Sequence, residues 1–172
     1  CCALQRTGTS TMSFIPAPPE QPVLSVHPDQ HIISLKGEDV RDFLNDILTA
    51  QINALASDTA RAACLLSPQG RILFDMMVMA TEDTVFLITE AEQAAPLAKR
   101  LTMYRLRRKI EITVSSNLCA GHIWGEDHAN FSVPDNCISA YDERHKALGK
   151  LVLFFKADGL PEQEEAKYWQ AL

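Results

Sequence analysis

The stretch Leu65-Leu66-Ser67-Pro68-Gln69-Gly70-Arg71-Ile72-Leu73-Phe74-Asp75-Met76-Met77-Val78 decides the fold of this chain. Two apolar runs flank Ser-Pro-Gln-Gly, the composition of a tight turn. Proline's fixed φ suits the second position of such a turn, and glycine supplies backbone freedom that other residues lack. The pattern predicts a β-hairpin of Ala60–Ser67 and Arg71–Ala80. Strand alternation then puts Arg71, Leu73, Asp75, Met77 and Met79 on one face, with Ile72, Phe74, Met76 and Val78 on the other. A carboxylate flanked on its own face by leucine and methionine must be paired, solvated or in contact with a ligand.

Working outward, His31–Lys36 alternates as a strand that stops at Gly37. Glu38–Gln51 follows with Val40, Phe43, Leu44, Ile47 and Leu48 at helical spacing. Beyond the hairpin, Thr84–Thr89 reads as a third short strand. Ala91–Arg105 reads as a second helix with Leu97, Leu101 and Tyr104 on its apolar face. In Lys109–Ser115, Ile110, Ile112 and Val114 are expected to point inward, and Lys109, Glu111 and Thr113 outward. The order β-α-β-β-β-α-β implies an α+β fold, an antiparallel-rich sheet with helices packed on one face. The signal weakens after Ser116, where Leu118–Trp124 and Leu151–Lys156 are candidate strands. Pro161–Leu172 looks like the start of a helix with no terminator, so the chain is expected to be truncated at its C-terminus.

Residues 1–30 carry Pro16, Pro18, Pro19, Pro22 and Pro28 and read as a disordered or extended leader, with Met12 a plausible start. Residues 31–115 form the expected core domain, and 116–172 its continuation. With 172 residues, 47% of them apolar, the chain can bury one sizeable core. No run approaches the roughly 18 apolar residues of a helical membrane span. A net charge of −6 argues against a general nucleic-acid binder. Six bases and no acid lie between Lys99 and Lys109, leaving −12 on the remainder. This patch either serves a specific anionic ligand or complements the negative end of a helix dipole. The five cysteines form no C-x-x-C pair and are odd in number, which points to a reducing compartment. Cys64, in an apolar strand, is expected to be a small buried hydrophobe.

Several features acting together carry a resemblance. They are the strand ending Lys36-Gly37-Glu38-Asp39, the Phe43-Leu44 helix running into Ile47-Leu48-Thr49-Ala50-Gln51, the Leu65–Val78 hairpin, and Met103-Tyr104-Arg105-Leu106-Arg107-Arg108-Lys109-Ile110. In this order the segments resemble the YgfZ branch of the folate-binding superfamily that includes the glycine-cleavage T-protein, an aminomethyltransferase. The mitochondrial iron–sulfur assembly factors of that branch are especially similar around Tyr104–Lys109. The resemblance implies a T-protein/YgfZ-like N-terminal folate-binding domain. It also implies tetrahydrofolate as cofactor and a role assisting iron–sulfur cluster assembly or repair, and thereby tRNA-modifying enzymes. Assembly or client proteins would be the partners, with no direct nucleic-acid or membrane contact. The compartment would be a bacterial cytoplasm or, alternatively, the mitochondrial matrix. The alternative activity is a folate-dependent aminomethyltransferase. Two departures stand out: Ala50-Gln51 replaces the Asn-Asp that relatives often carry, and the branch's downstream K-G-C-Y-x-G-Q-E segment is absent.

The candidate folate-binding residues are Asp75, Arg71, Tyr104, Arg105 and Arg107. Asp75 falls near the family's hairpin aspartate, and a carboxylate can accept two adjacent N–H groups from the amino-pyrimidine edge of a pterin. Alternatively it pairs with Arg71. Arg107, with Arg105 second, could fork onto the glutamate tail. Tyr104 either stacks on the ring or completes the core. Met76, Met77 and Met79 either line a pocket or fill the core. His122 and His128, around Trp124, Glu126 and Asp127, match no standard ligand set, so no metal is assigned. Neither Asp127 nor His128 has an identifiable nucleophile to serve, and no catalytic residue is assigned.

Overall fold

The computed structural model describes residues 19–131, 133 and 136–155. Nine strands and two α-helices occur among them: β1 Val23–His27, β2 Gln30–Lys36, α1 Val40–Ile47, β3 Thr59–Leu66, β4 Ile72–Ala80, β5 Thr84–Glu90, α2 Ala91–Tyr104, β6 Glu111–Ser115, β7 Leu118–Trp124, β8 Ile138–Asp142 and β9 Lys150–Phe155. The strands form one mixed sheet in the order β1-β7-β9-β8-β3-β4-β5-β2-β6. All pairings are antiparallel except a two-residue parallel seam, Thr59↔Tyr141 and Ala60↔Asp142, between β3 and β8. The α+β expectation holds.

The hairpin forms as its turn chemistry requires. Ser67 N donates to Arg71 O at 2.8 Å, Gly70 N to Ser67 O at 2.9 Å, and Gly70 takes φ +79°. The register does not run straight into β4, however. Leu65 pairs with Phe74 and Leu66 with Ile72, so Leu73 is an extra residue opposite that step. A bulge of this kind inverts the alternation on its far side. Ile72 therefore leaves Phe74's face, and the simple count placing Arg71 on the face of Asp75 fails.

Two cores lie on opposite faces of the β3–β4–β5–β2 half. On one face, α1 and α2 bury Phe43, Leu44, Leu97 and Leu101 against Ile33, Leu35, Leu65, Val78 and Leu87. On the other face, Ile32, Met77, Met79, Phe86 and Ile88 meet Ala120, Ala140, Leu151 and Leu153 from the second half of the sheet. The sheet thus folds over itself across the seam, and the molecule has three layers. Met76 belongs to the helix-side core, and Met77 and Met79 to the inter-sheet core. Core packing accounts for all three.

Element limits depart from the sequence expectation where tertiary pairing intervenes. The first helix stops at Ile47 rather than Gln51, because Leu48 is extended and bridged to Leu65 and Thr49 N donates to Cys64 O at 3.0 Å. Val23–His27, inside the segment read as a leader, pairs along its whole length with β7 and buries Val26 and His27. Residue 30 is therefore not a structural boundary, and β2 begins on it. In β6 only Ile110, just before the strand, is fully buried. Val114, expected inward, is 38% exposed because β6 is the sheet's edge. The helix read at Pro161–Leu172 and the residues before Pro19 lie outside the described residues.

Gly149 joins the seam to β9 at φ +72°, where an added Cβ would stand 2.0 Å from Ile123 O. Gly70 has a similar φ with nothing within 4 Å. Gly149→Ala is expected to cost about 3 kcal/mol and Gly70→Ala about 1 kcal/mol in guanidinium unfolding, since only the first adds a backbone clash to the left-handed strain.

Candidate functional site

Counting outward from the buried residues locates Asp75. Met77 and Met79 face the inter-sheet core, so Asp75 projects from the same face of β4, at the rim where that core ends. Cys64 is its register partner on β3. On β5, Glu90 shares the face of Ile88, and its partner on β2, Gln30, shares the face of Ile32. Cys64, Asp75, Glu90 and Gln30 thus form a polar row across four adjacent strands. Asp75 and Glu90 are exposed, and Cys64 and Gln30 half-buried. Cys64 is no buried hydrophobe, because the core stops one step short of it.

Asp75 makes no ion pair among the described residues, and Arg71 is exposed beyond the bulge. The Asp75 carboxylate instead lies 3.4 Å from Gln93 Nε2, while the Asp75 carbonyl accepts a hydrogen bond from Thr89 Oγ1 at 2.9 Å. The aspartate is thus a solvated acceptor on a rigid strand. It is not enclosed by apolar groups as expected.

Tyr104, Arg105 and Arg107 do share a site: they line a groove of about 800 Å³ with Phe43, Asp46 and Arg108. Tyr104 is 39% exposed, so it lines this groove rather than completing the core. The arginines diverge. Arg105 donates to the carbonyl of Ile110, and Arg108 pairs with Asp46 at 2.8 Å and sits over the Phe43 ring. Arg107 has no such internal tie among the described residues. The structure does not join this groove to Asp75. Gln93, beside Asp75, is in the first turn of α2 and Tyr104 ends its last, about 16 Å along the axis. Arg71 lines neither the groove nor the row. The single pocket expected from the sequence divides into an acidic row and a cationic groove.

No family model matches the chain. The mitochondrial iron-sulfur cluster assembly factor IBA57 homolog of Neurospora crassa is 30% identical over 90 residues, covering 48% of this chain and 20% of that protein. The crystal structure of glycine cleavage system aminomethyltransferase T from Bartonella henselae aligns with a TM-score of 0.64 at 14% identity, over 79% of this chain and 42% of that one. The chain has the aminomethyltransferase T fold. Together the two similarities support the superfamily relation suggested by the hairpin and the Tyr104–Ile110 segment. The chain spans less than half the length of either relative.

Within this T-like fold the seam holds a network that sequence reading missed. His27 Nε2 lies 2.9 Å from His122 Nδ1, and His122 Nε2 lies 3.2 Å from Asp142 Oδ2. Asp142 also accepts from Arg144 Nη2 at 2.6 Å and from the Arg144 backbone at 3.1 Å. An ionised carboxylate only accepts, so His122 carries its proton on Nε2 and takes the His27 Nε2 proton's bond at Nδ1. Nearby, Trp124 Nε1 donates to Ser25 Oγ at 2.9 Å. His27, His122 and Asp142 are at most 5% exposed. His128, which lies near His122 in the sequence, approaches Gly125 O at 2.7 Å. Only the period-two spacing of Ser25 with His27 and of His122 with Trp124 signalled the network in sequence, and without the pairing of β1 with β7 that signal is mute.

Burial, then the neighbouring His122 and Arg144, push the His27 imidazole down to about 4. Burial also lowers His122, against the opposing pull of Asp142. Burial alone would raise Asp142, but hydrogen bonds from His122 and Arg144 hold it well below the usual carboxylate range. A histidine lowered on folding binds its proton more readily when unfolded, so stability falls as pH drops. Unfolding free energy is expected to be level above pH 6.5 and to lose about 3 kcal/mol from His27 between pH 6.5 and 4. Denaturant titrations across that window, with His27→Gln flattening the slope, check it.

Proposed function

We propose that the protein binds reduced folate and acts as an accessory factor in iron–sulfur cluster assembly. The similarity to an iron-sulfur cluster assembly factor carries this reading, because it is a likeness detectable in the sequence itself, 30% identity over 90 residues. The role extends to iron–sulfur enzymes that modify tRNA, with assembly or client proteins as partners. The mitochondrial name of that relative favours the matrix over a bacterial cytoplasm.

The residues present fit tetrahydrofolate. The amino-pyrimidine edge of a reduced pterin offers adjacent N–H donors, and the rim of β4 and β5 presents two exposed carboxylates without cationic partners among the described residues. Asp75 would hold that edge, with Glu90 beside it. When bound, the folate supplies its one-carbon-carrying nitrogens, and the protein fixes the orientation of the ring. Arg107, with Tyr104 and Arg105 around it, would hold the acidic tail. That groove lies the length of α2 away, so it serves an extended, polyglutamylated ligand. Arg71 has no part in either contact.

A second reading, a folate-dependent aminomethyltransferase, is favoured by the likeness to aminomethyltransferase T. Supplying the full-length protein with tetrahydrofolate and the other glycine-cleavage components separates the two: aminomethyl turnover selects the transferase, and its absence the accessory factor.

Calorimetric titration of the full-length protein tests the ligand. Asp75→Asn is expected to weaken tetrahydrofolate binding about 10- to 100-fold, the worth of a charge-assisted hydrogen bond, with unfolding unchanged. Arg107→Ala is expected to weaken the polyglutamylated form and leave the monoglutamate unaffected. An unchanged dissociation constant in Asp75→Asn removes this site.

A further inference from the structure

Gln93 sits where two like charges approach each other. Its Nε2 is 3.4 Å from Asp75 Oδ1 and 3.5 Å from Glu90 Oε2. Both contacts are long, so the amide is shared between the carboxylates rather than committed to one. Its other end is unsatisfied: Gln93 Oε1 is buried with no hydrogen-bond partner among the described residues. Exchanging the amide's oxygen and nitrogen does not relieve this, because the oxygen would then face two carboxylates and the buried nitrogen would lack an acceptor. Gln30 Oε1, from the residue opposite Glu90, is also buried and without a partner among the described residues. Two orphaned acceptors beside one pair of carboxylates are a stability cost that packing does not explain, since an apolar side chain would avoid it.

We propose that Gln93 is a positioning residue: by sharing its amide nitrogen between Asp75 and Glu90, it holds two carboxylates side by side as acceptors for a ligand that presents adjacent N–H donors. This rests on the tetrahydrofolate reading above and deepens it by making the acidic row selective. An edge with two donors satisfies both carboxylates, whereas an edge offering an acceptor to either meets repulsion. Without the Gln93 amide, Asp75 and Glu90 separate, and the ligand must bring them together as it binds. The α2 helix starts directly after Glu90, so this clamp is part of the strand-to-helix junction and does not depend on a loop.

The test is a double-mutant cycle in the full-length protein, with tetrahydrofolate as probe and dissociation constants and melting temperatures as readouts. Gln93→Met keeps the length of the side chain and deletes both amide atoms. It is expected to weaken binding about tenfold while leaving the melting temperature unchanged or raised. In an Asp75→Asn background the same substitution is expected to cost nothing further, because Gln93 acts through Asp75. Gln93→Glu, which places a third carboxylate in the row, is expected to weaken binding more than Gln93→Met. If wild type binds and Gln93→Met binds equally well, or if the two substitutions are additive, the positioning role falls and the ligand reading stands. If Gln93→Met instead lowers the melting temperature and leaves binding intact, Gln93 is structural. If wild type does not bind tetrahydrofolate, both readings fall together.

Discussion

The parallel seam between β3 and β8 is two residues long, yet it makes one sheet into two packed layers. An antiparallel sheet with a single helical layer leaves one apolar face open. Here that face, with Met77, Met79, Phe86 and Ile88, is covered by the strands that continue the same sheet beyond the seam. So short a pairing needs buttresses. Tyr141 N donates to Asp58 O at 2.7 Å and Glu143 N to Ala60 O at 3.1 Å, which extends the backbone contact past both ends. Arg61 then forks onto Glu143 with bonds of 2.6 and 2.9 Å. A bidentate guanidinium–carboxylate pair fixes direction as well as distance, and direction is what a hinge between layers requires.

Behind this hinge, Asp142 is the residue through which the outer layer is tied to the seam. It pairs with Ala60 across the seam and accepts from His122 on β7, which in turn meets His27 on β1. Polar links therefore run from the seam to the far edge strand, among the buried apolar side chains of β1, β7 and β9. The cost is acid sensitivity, since burial keeps both imidazoles neutral and each resists protonation. A hydrophobic replacement would remove that sensitivity, and with it the directional bonds that hold β1 and β7 in register.

The helix-side half of the fold was legible because its signals are local. The Ser-Pro-Gln-Gly turn, the spacing of Phe43 and Leu44, and the alternation of His31–Lys36 each identify an element without reference to the rest of the chain. The other half was not, because it depends on pairing between residues far apart in sequence. His27 and His122, 95 positions apart, read as a proline-rich leader and a stray histidine. The site was legible in its residue types but not in its arrangement. Asp75 keeps the face that strand alternation assigned to it, but the inter-sheet core ends before it and leaves it exposed, while the bulged residue at Leu73 takes Arg71 off that face. Tyr104 looked like core because its helical spacing is right. α2 simply ends there, with nothing left to cover its ring.

On the proposed reading, that exposure suits Asp75 to ligand recognition rather than to structure. A buried aspartate between leucine and methionine would have to be neutralised from within, and its replacement would cost the fold. At the rim, water can solvate Asp75, and the protein gains nothing in stability from setting two acids beside a half-buried glutamine. Yet it keeps that arrangement on rigid strands rather than in a loop, at the mouth of the space between two layers, next to a free cysteine, Cys64. A surface selected only for solubility has no need of such rigidity. Acceptors held in a row by a shared amide are useful to a flat donor-rich ring, because preorganisation lowers the cost of binding only when the groups are already in place. On the proposed reading the division of the expected pocket has a use: the ring and the tail of one long ligand would demand different chemistries, and α2 would set the distance between them.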